Sequence, residues 1–135
     1  MAIGTISDAE AGLDIRTKLN LAIGQLNANT GEVDPETVAT YDIVAAEAGF
    51  WKFLDDAAGV AVNVPLEATE SIPVGAIYLF TQVDVGQLTF TPEGGVTINF
   101  PATLSLVSKE QWSTIGIKKT DTNEWLAFGH LEEAP

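Results

Sequence analysis

The sequence predicts a mainly β protein: a compact β-sandwich or barrel-like module preceded by one N-terminal α-helix. Three observations carry that prediction. Apolar residues recur at helical spacing only near the start of the chain. From residue 38 onward, short β-branched and aromatic runs are punctuated by Gly, Pro, Asn and Asp, with turn signals every eight to twelve positions or so. The balance of 46% hydrophobic against 19% charged residues in 135 is that of a folded domain with a core.

The helix begins at Ser7-Asp8-Ala9-Glu10, which has capping-box spacing, and its early carboxylates suit the positive end of the helix dipole. Ile15, Leu19, Ala22, Ile23 and Leu26 line one face, and residues 27–31 end it. A single helix of this length is marginal alone, so the stripe needs burial against the β module or a neighbouring subunit. Residues 31–36 form an acidic link with Pro35, dividing a helix and linker (1–37, anchoring or oligomerising) from a β module (38–135). Within the module, strands are expected at 39–44, 50–54, 60–64 and 76–82. Further strands are expected at 88–91 and 96–100, joined as a hairpin through Pro92-Glu93-Gly94-Gly95, and at 113–119 and 124–129, joined through residues 120–123. No internal repeat is visible, which argues against a solenoid.

The net charge of −13 disfavours nucleic acid and anionic membrane surfaces as partners. Without cysteine there is neither a disulfide framework nor a thiolate site. The N-terminus lacks the pattern of a signal peptide, and the most apolar stretch, 72–80, is too short to span a bilayer. These features predict a soluble protein made in the cytoplasm.

No catalytic, cofactor-binding or metal-ligating residues are expected. His130 is the only histidine, and one histidine near a terminus reads as surface or filler. Asp55-Asp56 and Glu132-Glu133 are adjacent pairs, and neighbours in an extended chain point to opposite sides, so neither makes the facing pair of a glycosidase. Asp121, Asn123 and Glu124 carry oxygen ligands but lack the full set of a calcium loop. Trp51 and Trp125 sit in apolar runs and read as core residues. Trp112 follows Lys109-Glu110-Gln111, reads as more exposed, and is the one candidate for a glycan contact.

A resemblance extends over residues 39–131. The segments Ala39-Thr-Tyr-Asp-Ile-Val-Ala-Ala-Glu-Ala-Gly49, Val60-Ala-Val-Asn-Val-Pro65 and Ile72-Pro-Val-Gly-Ala-Ile77 carry its first half. Val85-Gly-Gln-Leu-Thr-Phe90, Glu93-Gly-Gly-Val-Thr-Ile98, Ser113-Thr-Ile-Gly-Ile-Lys118 and Asn123-Glu-Trp-Leu-Ala-Phe-Gly-His-Leu131 carry the second. In this order they resemble a β module of tailed-bacteriophage virion proteins, found in tail fibres, head fibres and small accessory proteins. The chain departs from the family pattern at Gln111-Trp112 and at His130. The resemblance implies a non-enzymatic structural protein of the virion surface. The expected role is a small oligomeric capsid decoration (cement or head-fibre) protein, with a short tail fibre or baseplate protein binding a host glycan as the alternative. It further implies a homo-oligomer, a trimer for preference, contacting other virion proteins such as the major capsid protein. The stripe Ile15, Leu19, Ile23 and Leu26 would serve as its assembly helix.

Overall fold

The structure, a computed structural model, describes residues 33–135. The expected N-terminal helix, with Ile15, Leu19, Ile23 and Leu26, lies outside the described residues. Eleven strands follow: β1 Val33–Glu36, β2 Thr40–Asp42, β3 Trp51–Leu54, β4 Val60–Val64, β5 Ile77–Gln82, β6 Leu88–Pro92, β7 Thr97–Asn99, β8 Leu104–Ser108, β9 Thr114–Asp121, β10 Glu124–Gly129 and β11 Leu131–Glu133. They form two sheets packed as a β-sandwich, a six-stranded sheet β1-β3-β5-β9-β10-β7 and a five-stranded sheet β11-β8-β6-β4-β2.

The first eight strands alternate between the sheets, odd in one and even in the other. Through β6 each return lays a strand parallel to its predecessor, so β1-β3-β5 and β2-β4-β6 are parallel ladders, whereas β7 pairs with β10 and β8 pairs antiparallel with β6. Within the sandwich these six strands wind as a flattened parallel coil, and the whole is a two-sheet sandwich and not a solenoid. The coil leaves no repeat in the sequence because its return connections, 43–50, 65–76 and 93–96, have three different lengths. Its opposite corners do stack. Asp55 N–H donates to Glu36 O (3.0 Å), and Val83 N–H to Leu54 O (3.0 Å). Gly86 lies so close to the 55–59 corner that a Cβ there would sit 2.1 Å from Asp56 O. Gly59, at φ +100, makes the matching turn.

The expected hairpin through Pro92–Gly95 is therefore incorrect. β6 and β7 belong to different sheets, and residues 93–96 carry the chain across the sandwich. The second expected hairpin is present, with β9 and β10 pairing antiparallel between β5 and β7. β1 lies within the segment read as an acidic link, and its Pro35 is tolerated because β1 is an edge strand. β8 and β11 are additional strands.

Inward positions follow the two-residue period of a pleated strand. Val60, Val62 and Val64 of β4, Leu88 and Phe90 of β6, Tyr78 and Phe80 of β5, Ile115 and Ile117 of β9, and Trp125 and Ala127 of β10 make one continuous core. Phe80 packs edge-on against both Tyr41 and Phe90. Several polar groups that enter the interior are matched, while the buried Trp125 Nε1–H has no hydrogen-bond partner among the described residues. The Lys52 ammonium lies 2.6 Å from Glu47 and 3.4 Å from Glu36, and it faces the Tyr41 ring. The buried Lys119 ammonium binds Glu67 and the carbonyl of Ile72. Ser108 donates to Gln82 Oε1 (2.6 Å) and accepts the Leu88 N–H (2.8 Å), joining the two sheets.

Candidate interaction surfaces

Trp112 is exposed, as the polar residues before it predict, with 63% of its surface open to solvent. Its backbone carries φ +70, the left-handed region, which costs a residue with a side chain roughly 1–2 kcal/mol. The surrounding loop over-determines that conformation. Trp112 N–H donates to Gln82 O (2.7 Å), the Gln111 amide to Val83 O (2.8 Å) and Ser113 N–H to Glu110 O (3.0 Å). Ser113 Oγ accepts the Glu110 N–H and lies 3.0 Å from His130 Nδ1. A serine hydroxyl beside an imidazole resembles a nucleophile and its base. Ser113 is nevertheless buried, and its oxygen is engaged by the backbone, so the pair locks the turn.

The carboxylates considered from sequence are separated by the fold. Asp56 accepts the Ala58 N–H, Glu132 accepts the Gln87 amide, and Glu133 faces Lys109. Asp121 accepts the Thr122 N–H, Asn123 Oδ1 the Glu67 N–H, and Glu124 the Asn99 amide, so the three candidate calcium donors serve three separate partners. Among the described residues no group of three or more His, Cys, Asp or Glu is placed to hold a metal ion.

A groove of about 410 Å³ runs past the C-terminal ends of β2, β4 and β6, lined in part by Asp42, Val64, Pro65, Glu70, Pro92 and Glu93. Its carboxylates brace the walls. Asp42 accepts the Asn63 amide, Glu70 accepts the Ala45 N–H, and Glu93 accepts the Leu66 N–H and the Thr69 hydroxyl. The last two bonds hold the Glu93 carboxyl below the usual carboxylate range. Hydroxyl protons of Tyr41 and Tyr78 are held more tightly than usual, chiefly by burial; the Tyr41 bond to Glu47 adds to the effect.

The two outer faces of the sandwich differ. On the five-stranded sheet the outward positions include Thr40, Asp42, Asn63, Thr89 and Thr91, the polar-out pattern of a face that meets water. On the six-stranded sheet the outward positions of β3, β5 and β10 are mostly apolar, whereas β9 and β7 turn Thr114, Gly116, Lys118, Thr97 and Asn99 outward. Register places Trp51, Leu79, Gly116 and Phe128 in one row across β3, β5, β9 and β10. Ile77, Lys118 and Leu126 form the next row, and Phe53, Thr81 and Thr114 the row on the other side. Trp51, read from sequence as a core residue, therefore stands on the outer face. It is half-buried, packs against Phe53, and donates its Nε1–H to Thr81, whose hydroxyl pairs with Thr114. Phe128 lies over Gly116, which has no Cβ to hold the ring away. Ile77, Leu126 and Phe128 are exposed.

This face was missed because apolar residues in strands are first assigned to the core. The signal was present in the continuous apolar runs Ile77-Tyr-Leu-Phe80 and Trp125-Leu-Ala-Phe128, which mark strands covered on both faces. Comparison with known proteins adds no assignment: no protein-family model and no curated protein matches the chain.

Proposed function

We propose that this chain is a structural protein of bacteriophage virions: a small homo-oligomer that decorates the capsid surface and contacts other virion proteins such as the major capsid protein. It is made in the host cytoplasm and performs no catalysis. The observation that carries this reading is the ordered resemblance over residues 39–131. The fold gives it physical support, because a braced β unit with one apolar outer face suits a part that works by packing. The test is location: mass spectrometry of purified particles, followed by immunogold labelling. Label distributed over the capsid is expected; label only at the tail tip, or protein absent from particles, overturns the decoration role.

Trp112 favours a second reading, a tail-fibre or baseplate protein that binds a host glycan. An open indole on a braced loop provides a stacking surface for a sugar ring. Under this reading Trp112→Ala abolishes binding in titrations with host polysaccharide and leaves the melting temperature nearly unchanged. Undiminished binding, or no binding by the wild type, removes it.

A further inference from the structure

We infer that copies of this chain join through the outer face of the six-stranded sheet, around Trp51, Ile77, Leu79, Leu126 and Phe128. The inference extends the proposed oligomer by assigning its contact surface, and it stands on geometry that holds whether or not the protein belongs to a virion.

Charge identifies the occupant. Two copies at −13 each repel wherever their carboxylates meet, so association needs a surface free of net charge. Across the outward rows of β3, β5, β9 and β10 the ionisable residues are Lys118 and Glu124, one of each sign. Among the described residues Lys118 makes no ion pair, and its exposed ammonium, between Ile77 and Leu126 on the face, is available to a partner's carboxylate such as Glu124. A face that is neutral, largely apolar and carries one charge of each sign can complement itself, as a two-fold contact between copies requires.

Area agrees. Six strands about 4.8 Å apart, each with up to three outward positions about 6.8 Å apart, give a face of roughly 500 Å². Two such faces bury about 1,000 Å², at the lower limit for specific interfaces, and the face of about 500 Å² on each copy is of the size that is often functional on a soluble monomer. Flat sheet faces also pack readily at about 10 Å separation. A trimer would line its threefold axis with this face from each copy.

Sedimentation velocity of the full chain, with and without Leu126→Asp and separately Ile77→Asp, tests the inference. Val85→Asp is the control, with the same charge change at an exposed apolar residue outside the sheet. The wild type and the control are expected at a multiple of 14.3 kDa, with each face variant weakening association at least about 30-fold. Circular dichroism and urea unfolding confirm that the variants fold. Because the chain has no cysteine, Leu126→Cys supplies a unique cross-linking site, and a covalent dimer is expected on oxidation or with a short bifunctional maleimide. A wild-type monomer overturns the inference, as does an oligomer indifferent to both face variants. Protection of this face from hydroxyl-radical labelling in a monomer also overturns it, because residues 1–32 of the same chain would then be the cover. None of these outcomes depends on where the protein sits on a particle, so this inference and the virion reading fail separately.

Discussion

Ser108→Ala is the sharpest test of how the two sheets are joined. The hydroxyl donates to Gln82 Oε1 of β5 at 2.6 Å and accepts the Leu88 N–H of β6 at 2.8 Å. Ser108, Gln82 and Leu88 are all fully buried. Replacing the hydroxyl with hydrogen strands one donor and one acceptor away from water. A buried orphan costs about 1–3 kcal/mol, so the pair should cost about 2–5 kcal/mol. A domain of this size is stable by only about 5–15 kcal/mol, so the loss would be a large fraction of the total. With a urea m value of roughly 1.5 kcal/mol/M, the unfolding midpoint should fall by about 1.5–3 M at unchanged m. Ser105→Ala is the control, since that hydroxyl makes only a longer, partly buried bond of 3.2 Å to Glu132 O, and it should cost under about 1 kcal/mol. A loss below about 0.5 kcal/mol for Ser108→Ala would refute the reasoning, because the bridge would then contribute no more than solvent does.

Two further perturbations probe different parts of the sandwich. The Glu67 carboxyl is held below its usual 4.5 by its bonds from Lys119 and Ser71. Its contribution is therefore complete above about pH 4.5 and lost as pH falls through the lower folded value. Urea midpoints measured from pH 7 to pH 2.5 should decline on that acid limb, and Glu67→Gln should flatten the decline while lowering stability at pH 7; an unchanged slope would exclude the linkage. Gly86→Ala should cost about 3 kcal/mol or more, because its Cβ would sit 2.1 Å from Asp56 O and 2.2 Å from Gly59 N, both backbone atoms of the stacked corner. Gly94→Ala meets open space and should stay within about 0.5 kcal/mol, so equal losses at the two glycines would disprove the close stacking.

Strand positions were legible where alternation and turn chemistry agreed. Val60–Val64 is bounded by Gly59 and Pro65 and has the predicted limits, and the β9–β10 hairpin turns at residues 121–124 as its polar residues indicate. Sheet membership was not legible, because period-two alternation reports which way a side chain points and not which strand lies beside it. Gly94-Gly95 illustrates the limit. Gly95 adopts φ +98, a geometry that serves a hairpin or a crossing equally well, and only the partners of β7 decide between them. β1 was hidden by its composition, since Asp34, Pro35 and Glu36 read as linker, and only an edge position makes them compatible with a strand. Of the candidate site residues, the exposure of Trp112 could be read from its polar neighbours. Its left-handed backbone could not, because the hydrogen bonds that hold it come from Gln82 and Val83 on a distant part of the chain.

The edges of the two sheets bear on how such a module associates. A sandwich can join its copies edge to edge by extending a ladder, or face to face by covering apolar surface. The four edge strands, β1, β7, β2 and β11, span only three or four residues each, and β1 contains a proline. Short edges interrupted by proline are the usual defence against adding strands from another chain. In the six-stranded sheet β3, β5 and β10 instead turn Trp51, Phe53, Ile77, Leu79, Leu126 and Phe128 outward, with Thr114, Gly116 and Lys118 of β9 among them, while the interior strands of the five-stranded sheet turn Thr and Asn outward. Overall hydrophobicity cannot produce that difference within one chain. The sequence blunts the route through the edges and spends apolar residues on a single face. Association through the six-stranded face is therefore the arrangement that accounts for both features together, and it leaves the polar five-stranded face and the open Trp112 loop directed at solvent.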